Sequence, residues 1–139
     1  MIRLYEIAKA LEEHQRIVIL THENPDGDTL GSAFALYYAL TAMGKQVRVE
    51  NCGPIPTQFS YLTADYRREE FEPDWILAVD VADIKLLGSL RQQYEGKIDC
   101  CIDHHQENRS GAKECYVEST SASTCELIWL LLQTMDAPV

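Results

Sequence analysis

Arg16-Ile-Val-Ile-Leu-Thr21, His22-Glu-Asn-Pro-Asp-Gly-Asp28 and the run from Leu30 to Met43 follow one another, and their reading decides the fold. The first is a short β-branched run, the pattern of a strand buried on both faces. The second carries Pro25 and Gly27 as breakers and reads as a loop. The third is long and apolar nearly all round, which predicts a buried helix stopping at Gly44.

Upstream, Leu4, Ile7, Ala8 and Leu11 recur at helical spacing and mark one face of an N-terminal helix. Downstream, Gln46 to Glu50 reads as a second strand, stopped by Asn51, Gly53, Pro54 and Pro56. Thr57 to Pro73 is charged and weakly patterned, which predicts a loop with short helical pieces. Trp75 to Val79 is a third strand ending at Asp80, and a helix is expected between Ile84 and Tyr94, closed by Gly96. Lys97 to Ile102 is a fourth strand running into Asp103-His104-His105, and Glu114 to Glu118 a short fifth. Ser123, with Glu126 three residues on, has the spacing of a capping box and opens a last helix that runs to Thr134. Strands alternating with helices predict an α/β fold: a mainly parallel open sheet flanked by helices.

The chain has 139 residues, a length that suits one domain, and 46% of them are hydrophobic, enough to form a core. No apolar run reaches the roughly 18 residues of a membrane span. Met1 to His14 is amphipathic and charged, unlike a signal or transit peptide. Acids number 22 and bases 12, for a net charge of −10. Such a chain repels long nucleic acid unless the acid is locally compensated, and it suits metal cations where carboxylates converge. Five cysteines without CxxC spacing predict free thiols in a reducing cytosol, hence a cytoplasmic protein. Cys100 and Cys101 should face opposite sides of a strand. Tyr37, Tyr38, Phe59, Tyr61 and Trp129 are expected to pack rather than to stack on bases. The chain stops soon after its apolar last helix, which predicts a larger protein cut short. Leu127, Ile128, Leu130, Leu131 and Leu132 would then be partly uncovered, predicting weak self-association, with a homodimer among its forms.

Three clusters carry chemistry: His22, Asp26 and Asp28; Asp80, with Asp83 nearby; and Asp103, His104 and His105. Each lies at the C-terminal end of an expected strand, the edge where open parallel sheets bind ligands. Any one of them alone reads as an ordinary turn or cap: HxxxDxD as a solvated turn, Asp80 as a helix cap, Asp-His-His as an exposed loop. Asp83 is read as the cap of the helix beginning near Ile84, and His14 as a structural helix-end residue. Together the three clusters would crowd carboxylates whose mutual repulsion divalent metal ions relieve. Mixed imidazole and carboxylate donors suit Mn²⁺, Fe²⁺ or Zn²⁺ more than Mg²⁺ or Ca²⁺. Two such ions sharing a carboxylate can activate water for phosphoryl transfer.

His22-Glu-Asn-Pro-Asp-Gly-Asp-Thr-Leu-Gly-Ser32, Val79-Asp80, Ile102-Asp-His-His105 and Ser121-Ala-Ser-Thr-Cys-Glu-Leu-Ile128 resemble, in order, the motifs of the DHH phosphoesterase family. The first is most similar to the nanoRNase/pAp-phosphatase branch. The resemblance implies two Mn²⁺ ions, one on His22 and Asp26, the other on Asp28 and His104, with Asp80 bridging. It implies that His105 contacts the substrate phosphate and that Asp103 orients the neighbouring imidazole, these two being the catalytic pair. Ser32, Ser121 and Ser123 would offer phosphate donors at helix N-termini. The implied reaction is in-line hydrolysis of short oligonucleotides or of nucleotides such as pAp. Polyphosphate, a cyclic dinucleotide or single-stranded DNA is the alternative substrate, and a non-catalytic truncated module the alternative class. The family's fourth metal-binding Asp and its smaller DHHA1 substrate domain have no counterpart here, and Asp136, in Met-Asp-Ala-Pro, does not match that fourth motif.

Overall fold

The computed structural model describes residues 1–135; Asp136 lies outside the described residues. The elements are α1 (Leu4–Glu13), β1 (Arg16–Leu20), α2 (Gly27–Ala42), β2 (Gln46–Glu50), a 3₁₀ turn (Thr57–Thr63), β3 (Trp75–Val79), a second 3₁₀ turn (Ile84–Leu87), α3 (Leu90–Tyr94), β4 (Cys100–Asp103), β5 (Glu114–Val117) and α4 (Thr124–Thr134). The five strands form one sheet in the order β2-β1-β3-β4-β5. Every pairing is parallel.

Side-chain alternation along the strands divides the core in two. Ile17, Ile19, Val49, Leu77, Val79, Cys100 and Ile102 join Ile7 and Leu11 of α1, Leu30 to Leu40 of α2, and Leu127 to Leu132 of α4 on one face. Val18, Leu20, Ile76, Ala78 and Cys101 meet Val81, Leu87, Tyr94 and Ile98 on the other. Cys100 and Cys101 therefore do face opposite sides, and all five cysteines are free.

Several boundaries differ from expectation, each for a local reason. The Asp26 side chain accepts from the N–H groups of Asp28 and Thr29, so α2 starts at Gly27 and Asp28 lies in its first turn, not in the loop. The helix expected over Ile84 to Tyr94 is two short pieces. Gly88, at φ 58°, caps the first and breaks the run. Asp83 caps that 3₁₀ turn through the Lys85 N–H, as expected. Strand β4 includes Asp103 as a fully buried last residue. In α4 only half of the capping box forms. Ser123 accepts from the Glu126 N–H, but the Glu126 carboxylate accepts from the Ser121 hydroxyl instead. Tyr61 and Trp129 are largely exposed, not packed. Leu127, Ile128, Leu131 and Leu132 are covered by α1 and α2, and of the last helix's leucines only Leu130 stands open. No helix among the described residues is long and apolar enough to cross a membrane.

Candidate metal centre

Strand order 2-1-3-4-5 places the reversal of connection direction between β1 and β3, where a crevice opens beyond the strand C-termini. The residues leaving β1, β3 and β4 there are His22, Asp80 and the Asp103-His104-His105 triplet. Thr29 Oγ1 donates to the Val79 carbonyl at 3.0 Å, fastening the first turn of α2 to the end of β3. Asp26 and Asp28 are thereby brought beside Asp80.

Asp80 is the centre of the arrangement. It is 3% exposed and has φ 62°, a left-handed conformation that costs a non-glycine residue about 1 kcal/mol and is found at sites where geometry is over-determined. Its backbone N–H donates to the Ile102 carbonyl. Its Oδ2 lies 3.5 Å from His22 Nε2, which lies 3.7 Å from Asp26 Oδ1. Its Oδ1 lies 3.6 Å from His104 Nε2 and 3.9 Å from His105 Nδ1. Two groups follow, His22 with Asp26 and Asp80, and Asp80 with His104 and His105, each with its donor atoms within 4.8 Å of one another. Asp28 Oδ2 sits 3.4 Å from His104 Nε2, on the side of the second group.

The electrostatics ask for positive charge. The Asp80 carboxylate, against the opposing effect of burial and with help from the Glu23 carbonyl and Asp26, pushes His22 up to about 9. Burial pulls His105 down, but Asp103, through its hydrogen bond and charge, and the charges of Asp80 and Asp28 outweigh it, so His105 lies above the usual imidazole range. Two imidazole Nε2 atoms turned toward carboxylates, with His22 Nδ1 spent on the Glu23 carbonyl at 2.8 Å, form a mixed N/O donor set that fits a divalent transition metal.

Of the two imidazoles that follow it, Asp103 faces that of His105. Its Oδ1 accepts from the His104 backbone N–H at 2.9 Å and contacts His105 Nδ1 at 2.6 Å. It therefore orients the second imidazole of the triplet. The three serines make hydrogen bonds within the protein. Ser32 is fully buried, with its hydroxyl toward Cys125 Sγ, Ser121 donates to Glu126, and Ser123 caps α4. The N-terminus of α4 already holds an internal anion: Thr124 N–H donates to Asp28 Oδ2 at 3.0 Å and Cys125 N–H to Asp28 Oδ1 at 2.8 Å. Close approach of α2 and α4 depends on Gly31, where a Cβ would meet Cys125 Sγ at 3.0 Å. Asn108 was not singled out by the sequence. Its Nδ2 donates to Asp103 Oδ2 and to the Val81 carbonyl, both at 3.0 Å. Only its position shortly after Asp-His-His could have pointed to it.

Comparison with known proteins agrees with this architecture. A protein from Mycoplasma genitalium described as a bifunctional oligoribonuclease and PAP phosphatase NrnA is 28% identical over 130 residues, 88% of this chain and 41% of that one. Its namesake from Thermus thermophilus is 31% identical over 126 residues, 88% of this chain and 37% of that one. The chain thus spans well under half the length of these curated relatives. Among solved structures, an exopolyphosphatase-related protein from Bacteroides fragilis superposes with a TM-score of 0.83 at 23% identity, over 95% of this chain and 43% of that one. Exonuclease RecJ bound to manganese gives a TM-score of 0.60 at 19% identity, over 95% and 37%. At those identities the likeness is one of fold. The model of the DHH family N-terminal domain matches residues 16–138, nearly the whole chain, and the chain belongs to that family.

Proposed function

We propose that this chain is the metal-binding portion of a phosphoesterase that hydrolyses phosphodiester or phosphomonoester bonds of short oligonucleotides or of nucleotides such as pAp. The observation that carries it is the division of Asp80 between two donor groups at the switch point of the sheet. In this reading His22, Asp26 and Asp80 hold one Mn²⁺, and Asp28, His104 and Asp80 hold the other. When bound, such a pair supplies an acidified water and neutralises phosphate charge.

The chain's own residues do the rest. Asp103 fixes His105 through Nδ1, leaving Nε2 for a phosphate oxygen. His105 is half-exposed, so a phosphate can reach it from solvent. In hydrolysis the water oxygen bonds to phosphorus, the ester P–O bond breaks in line, and the departing oxygen takes a proton. Nucleotide substrates are supported by the two relatives described as bifunctional oligoribonuclease and PAP phosphatase NrnA. Short substrates are supported by the net charge of −10, which repels a long polyanion. A smaller C-terminal substrate-binding domain of the DHHA1 kind would supply the basic surface absent here. The free thiols, two of them buried, suit a reducing, cytoplasmic setting.

Calorimetry with Mn²⁺ tests the site: about two ions should bind per chain, and Asp80→Ala should lose one or both. Turnover of pAp and of RNA dinucleotides, measured on the longest natural polypeptide containing this chain, should stop with chelation and with Asp80→Ala. Activity that survives either treatment would overturn the reading.

A further inference from the structure

We propose that Thr124 is a positioning residue of the metal centre, its hydroxyl setting how the Asp80 carboxylate is shared between the two ion positions. This rests on the two-ion reading above and deepens it.

Thr124 is fully buried, and its Oγ1 donates to Asp80 Oδ1 at 3.0 Å. That oxygen faces His104 and His105, whereas Oδ2 faces His22. The terminal torsion of an aspartate is broad, so nothing intrinsic fixes the angle at which the carboxylate presents its two oxygens to the two sides. A hydroxyl aimed at one oxygen removes that freedom. The Thr124 side chain is not needed to start the helix, because Ser123 already serves as N-cap. Meanwhile the Thr124 N–H holds Asp28 Oδ2. One residue on α4 thus touches both a carboxylate of the first α2 turn and the carboxylate between the two donor groups. The imidazoles around Asp80 lie 3.5–3.9 Å from its oxygens, so the Thr124 hydroxyl at 3.0 Å is the nearer side-chain donor.

Thr124→Val keeps the shape and the backbone N–H but cannot donate; Thr124→Ser keeps the donor and loses the methyl. Mn²⁺ titration by calorimetry, with electron paramagnetic resonance of the loaded protein, separates a positioning role from a packing role. Thr124→Val should weaken one of the two ions roughly tenfold, the scale of a hydrogen bond to a charged group. It should also diminish the spin-coupled signal of the metal pair, and Thr124→Ser should restore both. If Thr124→Val does not fold, Thr124→Ala carries the same expectation. Wild-type affinities and coupling in the variant without a donor would overturn the proposal while leaving the two-ion reading intact. Failure of the wild type to bind a pair, or wild-type binding by Asp80→Ala measured alongside, would overturn both.

Discussion

Asn108 shows what a single amide does for this site. It ties the end of β4 to the chain leaving β3, through Asp103 and the Val81 carbonyl, and its own Oδ1 accepts from the Ser110 N–H at 3.1 Å. Asp103 is fully buried, and its charge is tolerable because both oxygens are engaged. Replacing Asn108 with Ala leaves one of those oxygens and a carbonyl short of a donor. A loss of about 1–3 kcal/mol in urea unfolding is expected. An unchanged midpoint would show that Asp103 does not depend on the amide.

Among the elements, β2 is an edge strand with an unusual anchor. Glu50, nearly buried at its end, meets Arg68 from the segment between the 3₁₀ turn and β3, along with Tyr94 Oη at 2.9 Å and Arg48 Nε at 3.5 Å. Tyr66 Oη covers the strand's outer backbone at Val49, exchanging hydrogen bonds with both its N–H and its carbonyl. Burial alone would raise the Glu50 pKa, but the hydrogen bonds from Arg68 and Tyr94 and the two guanidinium charges hold it below the usual carboxylate range. A depressed folded value means that the stabilisation is complete above the unfolded value of about 4.3 and fades as pH falls through the folded one. Glu50→Gln should therefore be less stable than wild type at pH 7 by about 1–3 kcal/mol, with the gap closing below about pH 4. Denaturant unfolding across that range checks it; a gap independent of pH would mean that the charge of Glu50 contributes nothing.

At the scale of the whole molecule, folding gathers Asp26, Asp28 and Asp80 at one edge of a protein whose net charge is already −10. Ligand cations that bind only the folded state add stability by mass action. Mn²⁺ at 100 times its dissociation constant would add about 2.7 kcal/mol per site, a rise in melting temperature on the order of 10 °C for a domain of this size. The rise should vanish with a chelator and shrink in Asp80→Ala. A melting temperature indifferent to Mn²⁺ would mean that the carboxylate edge is not a metal site. An apolar hollow of about 210 Å³, open to solvent, lies in the α2–α4 seam beside it, lined by Gly31, Ala35, Cys125 and the exposed Trp129.

By itself the sequence determined the order of the elements and the edge at which the three clusters emerge. Both follow from local signals: β-branched runs such as Arg16 to Leu20, breakers such as Pro25, and the pleat, which sends Cys100 and Cys101 to opposite faces. It could not determine where helices begin or break when a side chain or one glycine decides. The Asp26 cap drew Asp28 into α2, and Gly88 split the helix before β4. Only the tertiary structure decided the partners of the polar groups. Ser32 went to Cys125, Asp103 to His105 and Asn108, and the first turn of α4 to Asp28 and Asp80. Those bonds join residues from two to 97 positions apart. They form because a buried donor or acceptor must find whichever partner packing brings within reach, and packing is a property of the whole chain.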